Sequence, residues 1–483
     1  MVDVSLIDGL RAIVGGDGVL SDPVELLPYE SDAFSVAKAT GRAVVLPTET
    51  EQVAAIVKLL AEHDVQVVPR GSGTGLAGGC TAYGDGVTIC TSRMNRVLEV
   101  DLANRTACVQ AGVYNTALSK HVQGMPGGEG LHFSPDPSSQ TASTIGGNAA
   151  TNAGGIHTLK HGVTSNHVLG VEMVMGDGSV VWTGGGLRDR IGPDTTGLIC
   201  GSEGTFGIIT RVWVKLEASA RAFRTIVGIF SSSRDAGDAV SEVIGAGIIP
   251  AAMEMMDGKM VQVIEDAFGY GFPADAAALL LIEIDGLESV LDEQMRQIVE
   301  ICERHHGRDV QCSADAARRA ELWSARKRAF GAIGRISPSY CTQDACVPRS
   351  MLADVLERIG QIGEKYGITI TNVFHAGDGN VHPILLFDEA KPDEVRKALE
   401  ASHELLRYCI SIGGALTGEH GVGVEKLGLM TDMFDGATMG TFAKLKGIFD
   451  PAERLNVGKL MPSEKVVVDL LAAVGANVPG GAL

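Results

Sequence analysis

Blocks of helical and strand periodicity alternate along the chain. In PTETEQVAAIVKLLAEHDVQVVP, Val53, Ile56, Val57 and Leu60 recur at helical spacing and predict an amphipathic helix. Thr48 and Glu51 form a capping-box pattern ahead of it. The short VQVVP run predicts a strand that Pro69 ends. Further on, VLGVEMVMGDGSVVWT reads as two strands around an Asp-Gly turn. GSEGTFGIITRVWVKLEA reads as a glycine turn feeding a strand, with Ile208, Thr210, Val212, Val214 and Leu216 on one face. After about residue 218 the texture changes. Strand-like TIVGIF and ALLLIEIDG alternate with helical stretches at 287–305, 316–333 and 351–366, which predicts a second, α+β domain beginning near 217–222. No internal repeat has a fixed period.

A chain of 483 residues is too long for one ordinary core, so two or more domains are expected. Its 62 glycines, about twice average usage, cluster in particular loops and have no period, which excludes collagen-like and low-complexity readings. Acidic residues outnumber basic ones 59 to 40, for a net charge of −19. That disfavours nucleic acid and a basic membrane patch, and an anionic substrate then needs a local basic cluster. The nine cysteines contain no C-x-x-C pair, which argues against a disulfide framework, a zinc ribbon or an iron–sulfur cluster in this chain. The N-terminus lacks the basic start and apolar run of a signal peptide, and no stretch of about 18 apolar residues suggests a transmembrane helix. A cytoplasmic protein is expected.

Two glycine-rich stretches carry candidate chemistry. Gly73, Gly75 and Gly78 satisfy G-x-G-x-x-G, but the strand-like GVTICT that follows excludes the helix a nicotinamide-binding fingerprint requires. The loop therefore lies between two strands. Its backbone N–H groups can cradle a diphosphate, with the Ser72 and Thr74 hydroxyls assisting, or it is simply a tight turn. Almost every side chain from Thr141 to Gly155 is small, which suits backbone lining a large flat ligand. A third stretch, HAGDGNVHP, sets His375 and His382 seven residues apart. On a continuous strand that odd separation would put them on opposite faces. A hairpin turning at 377–380 puts them opposite one another on one face, either as packed histidines or as half of a metal site.

Taken in order, PRGSGTGLAGG, STIGGNAATNAGG, GSEGTFGIIT, HAGDGNVHP, TGEHGVG and LNVGK resemble the FAD-linked 2-hydroxyacid dehydrogenases, flavoproteins of the vanillyl-alcohol-oxidase type that include glycolate oxidase, D-lactate and D-2-hydroxyglutarate dehydrogenases. The resemblance covers nearly the whole chain and is far more specific for the family than for the substrate. It implies an α+β protein: a PCMH-type FAD-binding domain of two α/β subdomains, and a C-terminal cap built on an antiparallel sheet. The implied division is an N-terminal segment 1–37, the FAD domain 38–217, the cap 218–462 and a tail 463–483.

Matched to the family's motifs, Arg70, Gly71, Ser72, Gly73, Thr74 and Gly75 would form the diphosphate loop. Pro135, Asp136, Thr141, Ser143, Thr144, Gly147, Asn148, Thr151, Asn152, Gly154 and Gly155 would hold the flavin. Glu203, Gly204 and Ile208 would face the adenine-side half, and Asn456 would approach the ring. The diphosphate loop has no histidine, so non-covalent FAD is expected. His375, His382 and Glu419 would bind a divalent metal, zinc or manganese, since two imidazoles and a carboxylate leave positions open for substrate. His420, whose imidazole titrates near neutrality, is the candidate base. Arg326, which on its own reads as part of a solvated helix face, would pair the substrate carboxylate.

Val457 stands where the family usually has Pro, which loosens the turn presenting Asn456. Ile384 and Phe330 stand where D-2-hydroxyglutarate members carry polar residues, so a small monocarboxylate such as glycolate or D-lactate is the expected substrate. The implied reaction is its oxidation to the 2-oxo acid, with electrons passing to a quinone, a cytochrome or an iron–sulfur partner subunit. Such partners would give a cytoplasmic protein peripherally associated with a membrane, and a homo-oligomer is compatible with the sequence. Two alternatives stay open: a metal-independent FAD alcohol oxidoreductase, and a flavin electron-transfer subunit of a larger complex.

Overall fold

The helical spacing of Val53 to Leu60 is realised as the helix Thr50–Glu62, with that face buried. Its cap is shifted by one residue from the expected box. Gln52, not Glu51, reaches back, its side-chain oxygen accepting from the Thr48 N–H at 2.8 Å and from the Thr48 hydroxyl at 3.1 Å. The computed structural model describes residues 4–82, 85–187 and 192–461; the tail expected at 463–483 lies outside the described residues.

The chain divides into two units. The first comprises the residues up to Gly154, Val163–Ser219 and the chain from Glu419 onward; the second comprises Gly155–Gly162 and Ala220–Gly418. Residues 419–461, assigned by the sequence to the C-terminal domain, thus pack with the first unit.

The first unit is built on two sheets. One runs in the order Val19–Leu20, Ala43–Val45, Val87–Cys90, Val67–Arg70, with the last three strands parallel. Its core gathers Val45, Val53, Ile56, Leu60, Val67 and Ile89 beneath the Thr50–Glu62 helix. No helix lies between Arg70 and Val87 among the described residues, so the glycine loop connects two neighbouring parallel strands. The second sheet is antiparallel, in the order Val97–Asp101, Thr106–Gln110, Ile208–Lys215, Val168–Val174, Val180–Gly184. Alternation along Ile208–Lys215 buries Ile208, Thr210, Val212 and Val214, while Arg211, Trp213 and Lys215 are part-exposed.

The second unit is one eight-stranded antiparallel sheet. Its path is Arg308–Ser313, Ala222–Phe230, Ala278–Gly286, Ala252–Asp257, Thr369–His375, Asn380–Phe387, Ser339–Thr342, with Ala345–Cys346 also pairing Asn380–Phe387. Strand period 2 puts Ala252 and Met256, Leu279 and Leu281, Val373, Ile384 and Leu386 on one face. That face packs against Leu322, Trp323, Ala325 and Ala329 from the helices Ala316–Lys327 and Ala329–Ile333. Glu254, Glu283, His375 and His382 share the same periodicity, so four ionisable side chains are set into an otherwise apolar face.

Candidate active site

The HAGDGNVHP stretch is a hairpin, Thr369–His375 paired with Asn380–Phe387. The register differs from the expected one. His382 lies opposite Val373, and His375 lies opposite Asn380. The reason is the four-residue turn, which closes through Gly379 at φ +79° with a Cβ position only 2.2 Å from the Val347 carbonyl, a conformation and a space that only glycine fits. A two-residue offset preserves the face, so the histidines are diagonal neighbours rather than opposite ones. Their rings lie 4.9 Å apart, nearly perpendicular.

Each ring is held through Nδ1. His375 Nδ1 is 2.6 Å from Glu254 Oε1, and His382 Nδ1 is 3.2 Å from the Gln343 carbonyl oxygen. Both partners only accept, so in the neutral form each ring donates from Nδ1 and keeps its lone pair on Nε2. That is the tautomer of a metal-ligating histidine braced by a second residue. By the chemistry of these donors, His375 and His382 fit a divalent metal.

Glu254 is the pivot of this face. Its second oxygen accepts from Arg326 Nε at 2.7 Å, and Glu254 and Arg326 are both buried. Burial alone would push the Glu254 carboxyl up, but the His375 imidazole and the Arg326 guanidinium together outweigh it and hold it below the ordinary value. Arg326 is therefore not on a solvated helix face. Glu254 orients it, and among the described residues only its Nε is engaged, leaving the two-nitrogen edge that pairs a carboxylate. Glu283, opposite Ala252 on the adjacent strand, fixes the same helix by accepting from Arg319 and Trp323 at 2.6 to 2.7 Å. Sequence reasoning missed Glu254. Its signal was a lone acid in the strand AAMEMMD, at a position whose period-2 neighbours are all apolar.

Asp344, also missed, is fully buried 3.8 Å from His382 Nδ1. Its other oxygen accepts from the Thr417 hydroxyl at 2.5 Å and the Gly418 N–H at 2.8 Å. Gly418 passes so close to the Asn380 amide that a Cβ would sit 2.6 Å from it. This fixes the second unit's chain up to the residue before Glu419. Glu419 and His420 themselves open the returning segment of the first unit.

In the first unit the expected cofactor residues divide into two groups. Gly71 lies against Thr144, where a Cβ would be 2.5 Å from Oγ1, so the diphosphate loop and the start of the helix Ile145–Thr151 are in contact. Thr144 caps that helix, accepting from the Gly147 N–H at 3.2 Å. Around this junction the buried Ser72 Oγ, Ser143 Oγ and Asn148 Nδ2 have no hydrogen-bond partner among the described residues. Buried polar atoms are rarely left so without a ligand to meet them, and these residues fit a polar cofactor laid over small side chains. Gly73, Thr74, Gly75 and Gly147 line the same loop and helix start. Pro135 accepts from the Asn115 amide at 2.8 Å, Asp136 is part-buried and Thr141 exposed. Gly154 ends the first unit's segment, and Gly155 belongs to the second.

The other group has its side chains engaged elsewhere. The Arg70 guanidinium lies under its own loop, over the Tyr29 ring, donating to Ser31 O at 2.9 Å. Thr151 bonds back to Gly147 O, and Asn152, in the left-handed region at φ 55°, accepts from the Ser165 N–H. Ile208 is in the core and Gly204 packs on Pro69. The Asn456 amide donates to Gly79 O at 2.8 Å and Glu203 O at 2.6 Å, and accepts from Lys459 Nζ at 3.0 Å. With Val457 in place of proline, these three bonds hold the turn. Both Glu203 oxygens are also engaged, on the Val422 and Gly423 N–H groups. Lys459, in a motif read only for its asparagine, is buried, and desolvation pulls its ammonium down to about 8. Burial pushes the neighbouring Asp32 carboxyl up to about 6.

Residues 41–184 match the family described as FAD binding domain, and residues 220–460 match FAD linked oxidases, C-terminal domain. The chain is 41% identical over 459 residues to the protein named glycolate oxidase subunit GlcD of Escherichia coli, covering 95% of this chain and 91% of that one. It is 32% identical over 453 residues to a D-lactate dehydrogenase of Archaeoglobus fulgidus, covering 92% and 98%. Among solved structures, p-cresol methylhydroxylase with substrate bound superposes with a TM-score of 0.80 at 17% identity, covering 94% of this chain and 96% of that one, a likeness of fold alone. No described helix is long and apolar enough to cross a membrane.

Proposed function

The chain belongs to the FAD-linked oxidases, and from that premise we propose that it oxidises a small 2-hydroxy acid, glycolate or D-lactate, to the 2-oxo acid. The observation that carries the reading is the set on one sheet face: a buried guanidinium oriented by Glu254, beside two imidazoles whose Nδ1 atoms are already braced. An anion receptor next to a metal-ligand pair is what a 2-hydroxy carboxylate requires. Arg326 takes the carboxylate in a bidentate pair. His375, His382 and Glu419 would hold a divalent metal, which supplies Lewis-acid polarisation of the 2-hydroxyl. His420 accepts the hydroxyl proton as C2 loses its hydrogen. FAD, bound on the glycine loop and the small-residue stretch, supplies the two-electron chemistry.

Ile384 and Phe330 favour the small substrate. Ile384 is buried two positions from His382 on the same face, and Phe330 packs on Tyr340 at 6.2 Å between ring centroids. A second carboxylate against these side chains would be desolvated without a partner. The relatives named as subunits favour handing the electrons to a partner, a quinone, cytochrome or iron–sulfur protein, since this chain lacks cysteine spacing for a cluster.

The test is the visible spectrum of the purified flavoprotein under anaerobic conditions, with glycolate, D-lactate, L-lactate and D-2-hydroxyglutarate added in turn. Glycolate or D-lactate should bleach the flavin; chelator should abolish this and zinc or manganese restore it. Bleaching that survives chelator returns His375 and His382 to packing roles. Absence of bleaching by all four acids refutes the hydroxy-acid reading.

A further inference from the structure

Glu203 is not arranged as a cofactor residue. Its backbone is fixed on both sides, the N–H donating to Ala150 O at 2.8 Å and the carbonyl accepting from Asn456 at 2.6 Å, with φ at 51°. From this anchored turn the carboxylate reaches the chain just past His420. One oxygen takes the Val422 N–H at 2.6 Å and the other the Gly423 N–H at 2.7 Å. The loop is shaped to the grip. Gly421, at φ 87°, has its Cβ position 2.7 Å from Glu203 Oε1, and a Cβ on Gly423 would lie 1.9 Å from the Ala77 carbonyl, so the first position favours glycine and the second has room for nothing else. Val424 and Glu425 then donate their N–H groups to that same carbonyl.

Within the second unit, Asp344 does the corresponding work ahead of Glu419, accepting from Thr417 and Gly418. Each buried carboxylate therefore receives two donors from neighbouring residues, at 417–418 and at 422–423. Only Glu419, His420 and Gly421 lie between these anchor points. Charge-assisted bonds of this kind, made away from water, are strong and geometrically selective.

We propose that Glu203 is a positioning residue that fixes the backbone just after Glu419–His420 and so sets the orientation of the base. The role of Glu203 is then to hold the catalytic loop and not to contact the adenine side of FAD. The inference rests on the reading of His420 as base, and its test separates the two.

Glu203→Gln is isosteric and keeps one acceptor but turns an N–H donor toward the second amide. In the flavin-loaded enzyme, FAD affinity and KM should stay within about threefold of the parent, while kcat falls about 10- to 100-fold, the scale on which a small misplacement of a reacting group acts. Hydrogen exchange of the peptide spanning 420–425 should accelerate about tenfold or more, a readout independent of turnover. A tenfold loss of FAD affinity with kcat unchanged in the loaded fraction would make Glu203 a cofactor residue and overturn the proposal, as would unchanged exchange. His420→Gln serves as the reference. If it turns over at the parental rate the base reading fails, while exchange in Glu203→Gln still decides whether the loop is held.

Discussion

The apolar sheet face of the second unit and the glycine-loop junction of the first handle buried polarity in opposite ways. On the sheet face every ionisable side chain named has a protein partner: Glu254 with Arg326 and His375, Glu283 with Arg319 and Trp323, His382 with Gln343. At the loop junction, Ser72, Ser143 and Asn148 each bury a polar side-chain atom that no group among the described residues meets. The first arrangement holds charge in place by pairing it. The second leaves hydrogen-bonding capacity for something other than protein. The largest expected effect tests the paired side. Glu254→Ala leaves a guanidinium and an imidazole in the core without their carboxylate. Breaking a buried pair in this way costs about 3–5 kcal/mol, so the second unit's urea-unfolding midpoint should drop sharply. A midpoint within error of the parent would mean that this face tolerates unpaired charge, and the comparison would collapse.

Asp32 is a buried group of the first unit with an oxygen that has no hydrogen-bond partner among the described residues, and its cost should appear in pH dependence. Burial raises its carboxyl from 3.8 to about 6. The folded state therefore retains a proton that the unfolded chain has released. The stability this gives is present in full below the unfolded value and lost as pH rises through about 6. A rise of that size corresponds to about 3 kcal/mol at most. Asp32→Asn cannot ionise, so its stability relative to the parent should rise between pH 4.5 and 7.5 by up to that amount. A difference between the two proteins that stays flat with pH would show that Asp32 is compensated by its neighbours, Arg70 and the Phe34 amide among them.

Some of this was legible in the sequence. The odd spacing of His375 and His382 demanded a turn if the two were to share a face, and a hairpin is what forms. The two-residue offset was not legible, because it depends on a positive-φ glycine that meets the Val347 carbonyl across the fold. Motif membership singled out the loops of Glu203 and Asn456 but could not give the direction of their side chains. Those are set by Gly79, Val422, Gly423 and Lys459, which are distant in sequence or unremarkable in type. Glu254 and Asp344 escaped for a related reason. Periodicity can mark the strand acid Glu254 as buried, and gives nothing for Asp344 between two short strands; only tertiary structure shows the cation or amide each meets.

The smallest effect is the most discriminating, because it predicts opposite behaviour from the two regions under the same kind of truncation. Ser143→Ala removes a hydroxyl, and Asn148→Ala an amide nitrogen, that no group among the described residues meets. Deleting an unpartnered buried polar group is close to neutral, so the unfolding midpoint of the flavin-stripped protein should move by no more than about 0.5 kcal/mol. If those atoms meet FAD, each truncation should weaken its binding by about 1–2 kcal/mol, or roughly 5- to 30-fold in Kd by fluorescence titration. Stability and affinity then separate at the loop junction, whereas at Glu254 the loss falls on stability directly. Parental FAD affinity in both variants would remove Ser143 and Asn148 from the cofactor site and leave the glycine-loop backbone as its principal support.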